Sequence, residues 1–175
     1  MSQHLVLTAI GNDRPGLVES LAAVISAHQG NWLEASMTHL AGKFAGLVRV
    51  DVPAERADAL LAALRIFEPL RVVVEVATPG APDSIRRSLR LDLVGHDRIG
   101  IVREVTQVLA RHAVNVESLE TRTSAAPMSG ETLFHATALL LAPTELGIGD
   151  LQKDLEAISA EMQVDIALGQ EEDAS

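Results

Sequence analysis

The sequence predicts an α+β protein with two similar domains, each built in the order strand, helix, strand, strand, helix, strand. The first observation is a repeat, because GNDRPGLV at residues 11–18 returns as GHDRIGIV at residues 95–102. The second is that the same succession of strand-like and helix-like apolar patterns surrounds both copies. The chain therefore looks like an internal duplication of a unit of about 80 residues.

The match between the two halves extends well beyond this stretch. At the same offset of 84 residues, Asn31 meets Asn115. Further along, the offset is 90 residues, since Phe44 meets Phe134. The second half therefore carries six extra residues between Asn115 and Phe134.

The elements of the first half follow from its apolar pattern and its turn residues. The run HLVLTAIG (His4–Gly11) is short, apolar and ends in glycine, which is typical of a strand. A helix follows, with Pro15 in its first turn and Gly30 as its stop. NWLEASMTHL and FAGLVRVDVP are predicted strands joined by the turn AGK. A helix over Ala54–Phe67 and a last strand, LRVVVEVA, complete the unit.

The second half repeats this order. We expect strands at Ser88–Gly95, Asn115–Thr123, Leu133–Ala142 and Gln163–Leu168, and helices at Ile99–Ala113 and Thr144–Glu161. The stretch TPGAPDS (Thr78–Ser84) is rich in turn residues and separates the halves. The predicted division is therefore a first domain at 1–78, a linker at 79–87, a second domain at 88–169 and an acidic tail at 170–175.

This element order is that of the ferredoxin-like fold, in which two right-handed crossovers place both helices on one face of an antiparallel sheet. The strands LVL, VVV and ALLLA are apolar at consecutive positions, so the other face is not clearly polar. We expect the sister domain or another copy of the chain to cover part of that face or an edge.

Charge and composition exclude several classes of function. The chain has 24 acidic and 14 basic residues, a net charge of −10, which opposes direct binding to nucleic acid or to an anionic membrane. It has no cysteine, so disulfides and thiolate metal ligands are excluded. The N-terminus does not resemble a signal peptide, and no run is long and apolar enough to span a membrane. A soluble cytoplasmic protein is expected.

The duplicated turn lies between the first strand and the first helix of each half. Gly11 and Gly16 allow a bend and a close approach. The helix start suits a carboxylate, Asp13 suits an ammonium, and Asn31 opens a strand that is expected to return beside the turn. Together these groups describe a site for a free amino acid. The alternative is structural, in which Asp13 is a helix cap and the glycines only make the turn.

The stretches GNDRPGLVESLAAVISAHQGNW and GHDRIGIVREVTQVLARHAVNV resemble the ACT domain family, which has the same D-R-x-G turn and an asparagine on the second strand. The resemblance covers nearly the whole chain as two tandem copies. The loop TRTSAAPMSGETLF (Thr121–Phe134) further resembles a group of stand-alone double-ACT regulators, the glycine cleavage system transcriptional repressors. In two respects this chain departs from the family, since Ile99 stands where the first turn has Pro15, and serine-binding members have Asn in place of Asp13 and Asp97.

The resemblance implies that an amino acid is sensed at interfaces between ACT units. Carried over by position, the ligand contacts are Gly11, Asn12, Asp13, Gly16 and Asn31 in the first half, and Gly95, His96, Asp97, Gly100 and Asn115 in the second.

No catalytic pattern accompanies this turn. The six histidines show no zinc-binding spacing, and a nucleophile elbow is absent. Three aromatic residues in the strands are too few for an RNA-recognition sheet. No enzyme activity, cofactor or metal is expected. Two hypotheses stay open: an amino-acid-responsive regulator that acts on a protein partner, with no direct DNA contact, or an accessory subunit giving feedback control to a metabolic enzyme. A homodimer is compatible with both.

Overall fold

The computed structural model describes residues 1–77, 86–127 and 130–170. It divides the chain into two compact units, Met1–Pro79 and Gly80–Ser175. Most of the predicted linker and the tail beyond Gln170 lie outside the described residues.

The first domain has the predicted six elements. Its sheet has the strand order β2-β3-β1-β4, and every neighbouring pair is antiparallel. The elements are β1 (Ser2–Asn12), α1 (Leu17–Ala27), β2 (Asn31–Leu40), β3 (Lys43–Pro53), α2 (Ala54–Arg65) and β4 (Arg71–Val76).

The second domain repeats the same architecture, with the strand order β6-β7-β5-β8. The α+β class and the two ferredoxin-like βαββαβ units are therefore confirmed. The elements are β5 (Arg86–His96), α3 (Ile101–Arg111), β6 (Asn115–Ala125), β7 (Thr132–Pro143), α4 (Ile148–Met162) and β8 (Val164–Gln170). Strand β5 thus begins within the stretch that the sequence assigned to the linker.

Each domain has its own apolar core. In the first, Leu5 and Leu7 of β1 are fully buried and share one cluster with Leu17, Leu21 and Ile25 of α1. These α1 residues recur at every fourth position, so they form one stripe along the helix. The matching core of the second domain contains Leu89, Leu91, Ile101, Val105 and Leu109.

The opposite face of the first sheet carries exposed apolar side chains. Thr8 of β1 stands between Leu47 of β3 and Val73 of β4, and these two are 52% and 47% exposed. The sequence pattern indicated such a face. That another surface covers it stays a prediction.

Both first helices begin later than the sequence predicted. Pro15 was placed in the first turn of α1, but the helix begins at Leu17. Gly16 before it is left-handed, with φ 88°, and a left-handed residue cannot belong to a right-handed helix. Gly100 repeats this with φ 99°, so α3 begins at Ile101 rather than at Ile99.

Both second strands contain an irregularity at the same place. The pairing of β2 with β3 shifts between Trp32 and Glu34, which leaves Leu33 as an extra residue. The pairing of β6 with β7 shifts between Val116 and Ser118. A β-bulge of this kind bends an edge strand and increases its twist.

Candidate functional site

The backbone of the duplicated turn is held in the same way in both domains. The N–H of Asp13 donates to the carbonyl of Gly42 at 3.0 Å, in the turn between β2 and β3. The N–H of Asp97 donates to the carbonyl of Thr132 at 2.8 Å, at the start of β7. Each aspartate is therefore fixed at one end of its sheet by a bond that does not depend on its side chain.

Each glycine of the turn has a structural reason. A Cβ on Gly11 would lie 2.8 Å from the carbonyl oxygen of Pro69, and a Cβ on Gly95 would collide with Val164. Gly16 and Gly100 supply the left-handed conformation, and no other atom lies within 4 Å of a Cβ built on Gly16. The glycine pattern of the turn is thus explained by packing and backbone conformation alone.

The two aspartate side chains do not cap the helices. Gly16 and Gly100 occupy the position before each helix, and no side chain caps either helix start. The helix-cap interpretation of Asp13 and Asp97 is therefore wrong. Both residues are exposed, and within the described parts of the chain their carboxylates make no hydrogen bond or ion pair. Each turn presents an unengaged negative charge beside a helix start.

Asn31 and Asn115 do not lie beside the turn of their own domain, contrary to the sequence-based expectation. Asn31 pairs with Asp51, which in turn pairs with His4 of β1. Gly11 lies seven residues beyond His4 on that strand, which corresponds to about 24 Å. The physical reason is that β2 runs parallel to β1, so both strands start at the same end of the sheet. The turn follows the end of β1 and therefore lies at the other end. Asn115 is placed in the same way by its pairing with Leu141.

The surroundings of the first turn are basic. An open concavity of about 680 Å³ lies beside it. Lys43 donates from Nζ to the side-chain oxygen of Asn12 at 2.5 Å. The concavity is lined by Ile10, Gly11, Asn12, Arg14, Lys43, Glu68, Pro69 and Arg71.

Two basic side chains near the second turn lie beside acidic side chains of the same domain. Arg98 bonds to Glu104 through Nη2 and Oε2 at 3.0 Å. His96 Nδ1 lies 3.3 Å from an Oε of Glu131, so these two form an ion pair when the imidazole is protonated. Arg98 is therefore paired with an acidic side chain, unlike Arg14 at the first turn.

Sequence reasoning missed a polar cluster on the outer face of the second sheet. Thr137 donates to Asp92 at 2.7 Å, and Arg90 donates to the same carboxylate at 2.9 and 3.2 Å. The hydrogen bonds from Arg90 and then from Thr137 lower the pKa of Asp92. The cluster borders a cavity of about 320 Å³ that Glu120 and Arg122 also line. The alternation of Arg90 and Asp92 along β5 was the available signal.

Ser124, which the sequence placed in the loop Thr121–Phe134, belongs to a strand in the structure. It lies in β6, and its hydroxyl is 2.9 Å from Nε2 of His135. Nucleophilic catalysis needs a third group that orients the base, and in the described residues no carboxylate is bonded to His135. The pair therefore has the character of a cross-strand hydrogen bond.

The two histidines at matching helix ends have structural contacts. His28 donates from Nδ1 to the carbonyl of Val24 at 2.8 Å. His112 Nε2 lies 2.9 Å from the carboxylate of Asp154, and this hydrogen bond lowers the pKa of Asp154. Both residues are the C-caps of their helices.

Within the described residues, no group of three or more side chains is arranged to hold a metal ion. None of the helices described is long and apolar enough to cross a membrane.

Family models of the ACT domain match the chain twice, over residues 3–69 and over residues 89–139. Each match includes one copy of the duplicated turn. No curated protein matches the chain significantly.

Two solved structures resemble the chain over its whole length. A protein from Galdieria sulphuraria, described only as unknown, is 30% identical with a TM-score of 0.85 and covers 98% of this chain and 100% of its own. A candidate glycine cleavage system transcriptional repressor is 19% identical with a TM-score of 0.75, over 99% of each chain. At that identity, the second likeness shows the fold alone.

Proposed function

Because the chain belongs to the ACT domain family, with one ACT domain in each half, we propose that it is a non-enzymatic regulator that binds a free amino acid at the duplicated turn. The observation that carries this proposal is the pair of carboxylates on Asp13 and Asp97. Each is fixed by its backbone at the end of a sheet, is exposed, and lacks a partner among the described residues.

The chemistry of the turn suits the two charges of an amino acid. The carboxylate of Asp13 or Asp97 is the counter-charge for the ammonium. The first N–H groups of α1 or α3 have no partner within the helix, and the helix dipole is positive there, so they suit the ligand carboxylate. Since no side chain caps either helix start, these N–H groups are not taken up by a cap.

In this proposal the carboxamide of Asn31 or Asn115 reaches the ligand from a second copy of the chain. The asparagine lies about 24 Å along the sheet from the turn of its own domain, which is too far for a contact with one small ligand. The proposed functional unit is a homodimer in which a turn of one copy faces an asparagine of the other.

The proposed output is regulation of glycine cleavage through a protein partner. The loop between β6 and β7 resembles that of glycine cleavage repressors, and the second structural neighbour carries that description. A net charge of −10 opposes contact with DNA, so the effect on transcription passes through another protein.

Mixing two variants tests the site and the dimer together. One variant carries Asp13→Ala and Asp97→Ala, and the other carries Asn31→Ala and Asn115→Ala. Calorimetry with the standard amino acids is expected to show a ligand for the wild type and none for either variant alone. An equimolar mixture regains part of the binding, because in a mixed dimer the two intact turns of one copy can face the two intact asparagines of the other. If no amino acid binds the wild type, the proposal fails, and if mixing restores nothing, the shared site fails.

Affinity capture with the full chain separates the two forms of regulation that the sequence left open. Capture of a transcription regulator, released or recruited by the bound amino acid, supports the proposed output. Stoichiometric capture of a metabolic enzyme whose activity changes with that amino acid supports the accessory-subunit alternative.

A further inference from the structure

The two turns differ in charge although they share a backbone. We call the concavity beside the first turn the basic basin, lined by Arg14, Lys43 and Arg71 together with Glu68 and the neighbouring strand ends. Ile10 pairs with Arg71, and Asn12 pairs with Lys43. Cross-strand neighbours project from the same face of a sheet, so both cations stand at one corner of the outer face.

The cations of the basic basin are not neutralised by the protein. Arg14 and Arg71 make no hydrogen bond or ion pair within the described residues, and Lys43 bonds only to the neutral amide of Asn12. Glu68 is the one acidic residue of the lining. Three cations thus line one concavity of a chain whose net charge is −10, and like charges that share a concavity repel one another.

The matching corner of the second domain does not have this group of unpaired cations. Arg98, which matches Arg14, is bonded to Glu104 at 3.0 Å. Lys43 is matched by Leu133, and Arg71 is matched by Asp165, since Asp165 pairs with Val94 as Arg71 pairs with Ile10. The duplication therefore provides an internal comparison in which only the first corner is basic.

We propose that the basic basin binds a small anion with at least two negative charges, such as a polycarboxylate or a phosphate compound. Two guanidinium groups and one ammonium provide many N–H donors, and Arg binds carboxylate and phosphate oxygens in pairs. The volume of about 680 Å³ is within the range of small-molecule sites. The second turn, with its paired charges, does not bind this ligand.

A small anion fits the basin better than a nucleic acid does. Binding of a duplex neutralises many phosphates along an extended basic surface. Here the cations are confined to one corner of one domain, and the rest of the chain is strongly acidic, so a long polyanion is repelled outside the basin.

The basic basin shares Gly11 and Asn12 with the proposed amino-acid site, and only to that extent does its proposed role rest on the proposed function. Its ligand and its binding groups are different, since Asp13 does not line the basin. The two proposals can therefore fail separately.

The test is calorimetric titration of the full chain with citrate and with inorganic pyrophosphate, in a low-salt buffer free of phosphate. Wild type is compared with Arg14→Ala, Arg71→Ala and, as the matched control, Arg98→Ala. Each basin variant is expected to lose about tenfold or more in affinity, while Arg98→Ala binds as the wild type does. All three side chains are exposed or paired at the surface, and melting curves check that the variants fold.

Each outcome has a defined meaning. Binding of citrate alone or of pyrophosphate alone, lost in the basin variants, supports the proposal and names the anionic group. No binding of either anion, or an equal loss in Arg98→Ala, overturns it. Binding of a short DNA duplex that Arg71→Ala abolishes also overturns it in favour of nucleic acid. Anion binding without amino-acid binding supports the anion site and refutes the proposed function. Amino-acid binding without anion binding supports the proposed function and refutes the anion site.

Discussion

Replacing Asp97 by alanine separates a ligand-binding role from a structural one. The structure assigns no stabilising contact to this carboxylate: it does not cap α3, and among the described residues it has no hydrogen-bond or ion-pair partner. The bond that fixes the turn runs from the backbone N–H of Asp97 to Thr132 and survives the substitution. The free energy of unfolding should therefore change by no more than about 0.5 kcal/mol.

The effect on ligand binding should be much larger. A hydrogen bond to a charged group contributes about 1.5–3 kcal/mol, and each 1.4 kcal/mol corresponds to about a factor of ten. Asp97→Ala should thus weaken amino-acid binding at the second turn by about tenfold to a hundredfold. Asp97→Asn should weaken it less, since the amide still accepts a hydrogen bond.

Calorimetry and urea denaturation, with and without saturating amino acid, measure the two effects on the same samples. The expected pattern is equal urea midpoints without ligand and a smaller ligand-induced shift for Asp97→Ala. Loss of about 1 kcal/mol or more in the absence of ligand, with binding unchanged, would refute the reasoning, because it would make the carboxylate a structural group.

Three further outcomes are expected. Gly16→Ala should lose about 1–2 kcal/mol in urea denaturation, because an L-residue is strained at a left-handed φ although space is open. Gly95→Ala should lose more than Gly16→Ala, because its Cβ would collide with Val164; a smaller loss would contradict the packing. Hydrogen bonds from Arg90 and Thr137 lower the pKa of Asp92 in the folded protein. The stability that these bonds add is therefore fully present when the pH is above the pKa of Asp92 in the unfolded chain. It is lost as the pH falls through the pKa of Asp92 in the folded protein. Urea midpoints of wild type and Asp92→Asn should therefore converge below about pH 4.

The internal repeat made the element order predictable. Leu17, Leu21 and Ile25 show a helical stripe in the sequence, and β1 shows a strand run. The first residue of α1 was not predictable in this way. Pro15 is compatible with the first turn of a helix, and a glycine such as Gly16 can adopt either a negative or a positive φ. Backbone conformation at a glycine is set by the packing of the elements on both sides.

The site was predicted only in part. The aspartate and the glycines of the turn are local in sequence, so their proximity follows from the chain itself. The position of Asn31 depends on topology: a helical crossover makes β2 parallel to β1 and carries its first residue to the far end of the sheet. The basic basin depends on register, because Arg71 reaches Ile10 only through the pairing of β4 with β1. Pairings across sixty residues have no local signature.

The irregularity in both second strands shows which features the two domains share and which distinguish them. Leu33 and Glu117 interrupt their strands at matching positions, so the bend of the edge strand belongs to the architecture common to both domains. The hairpin lengths and the charges at Arg71 and Asp165 differ between the halves, so two domains of the same fold present different surfaces at the same corner.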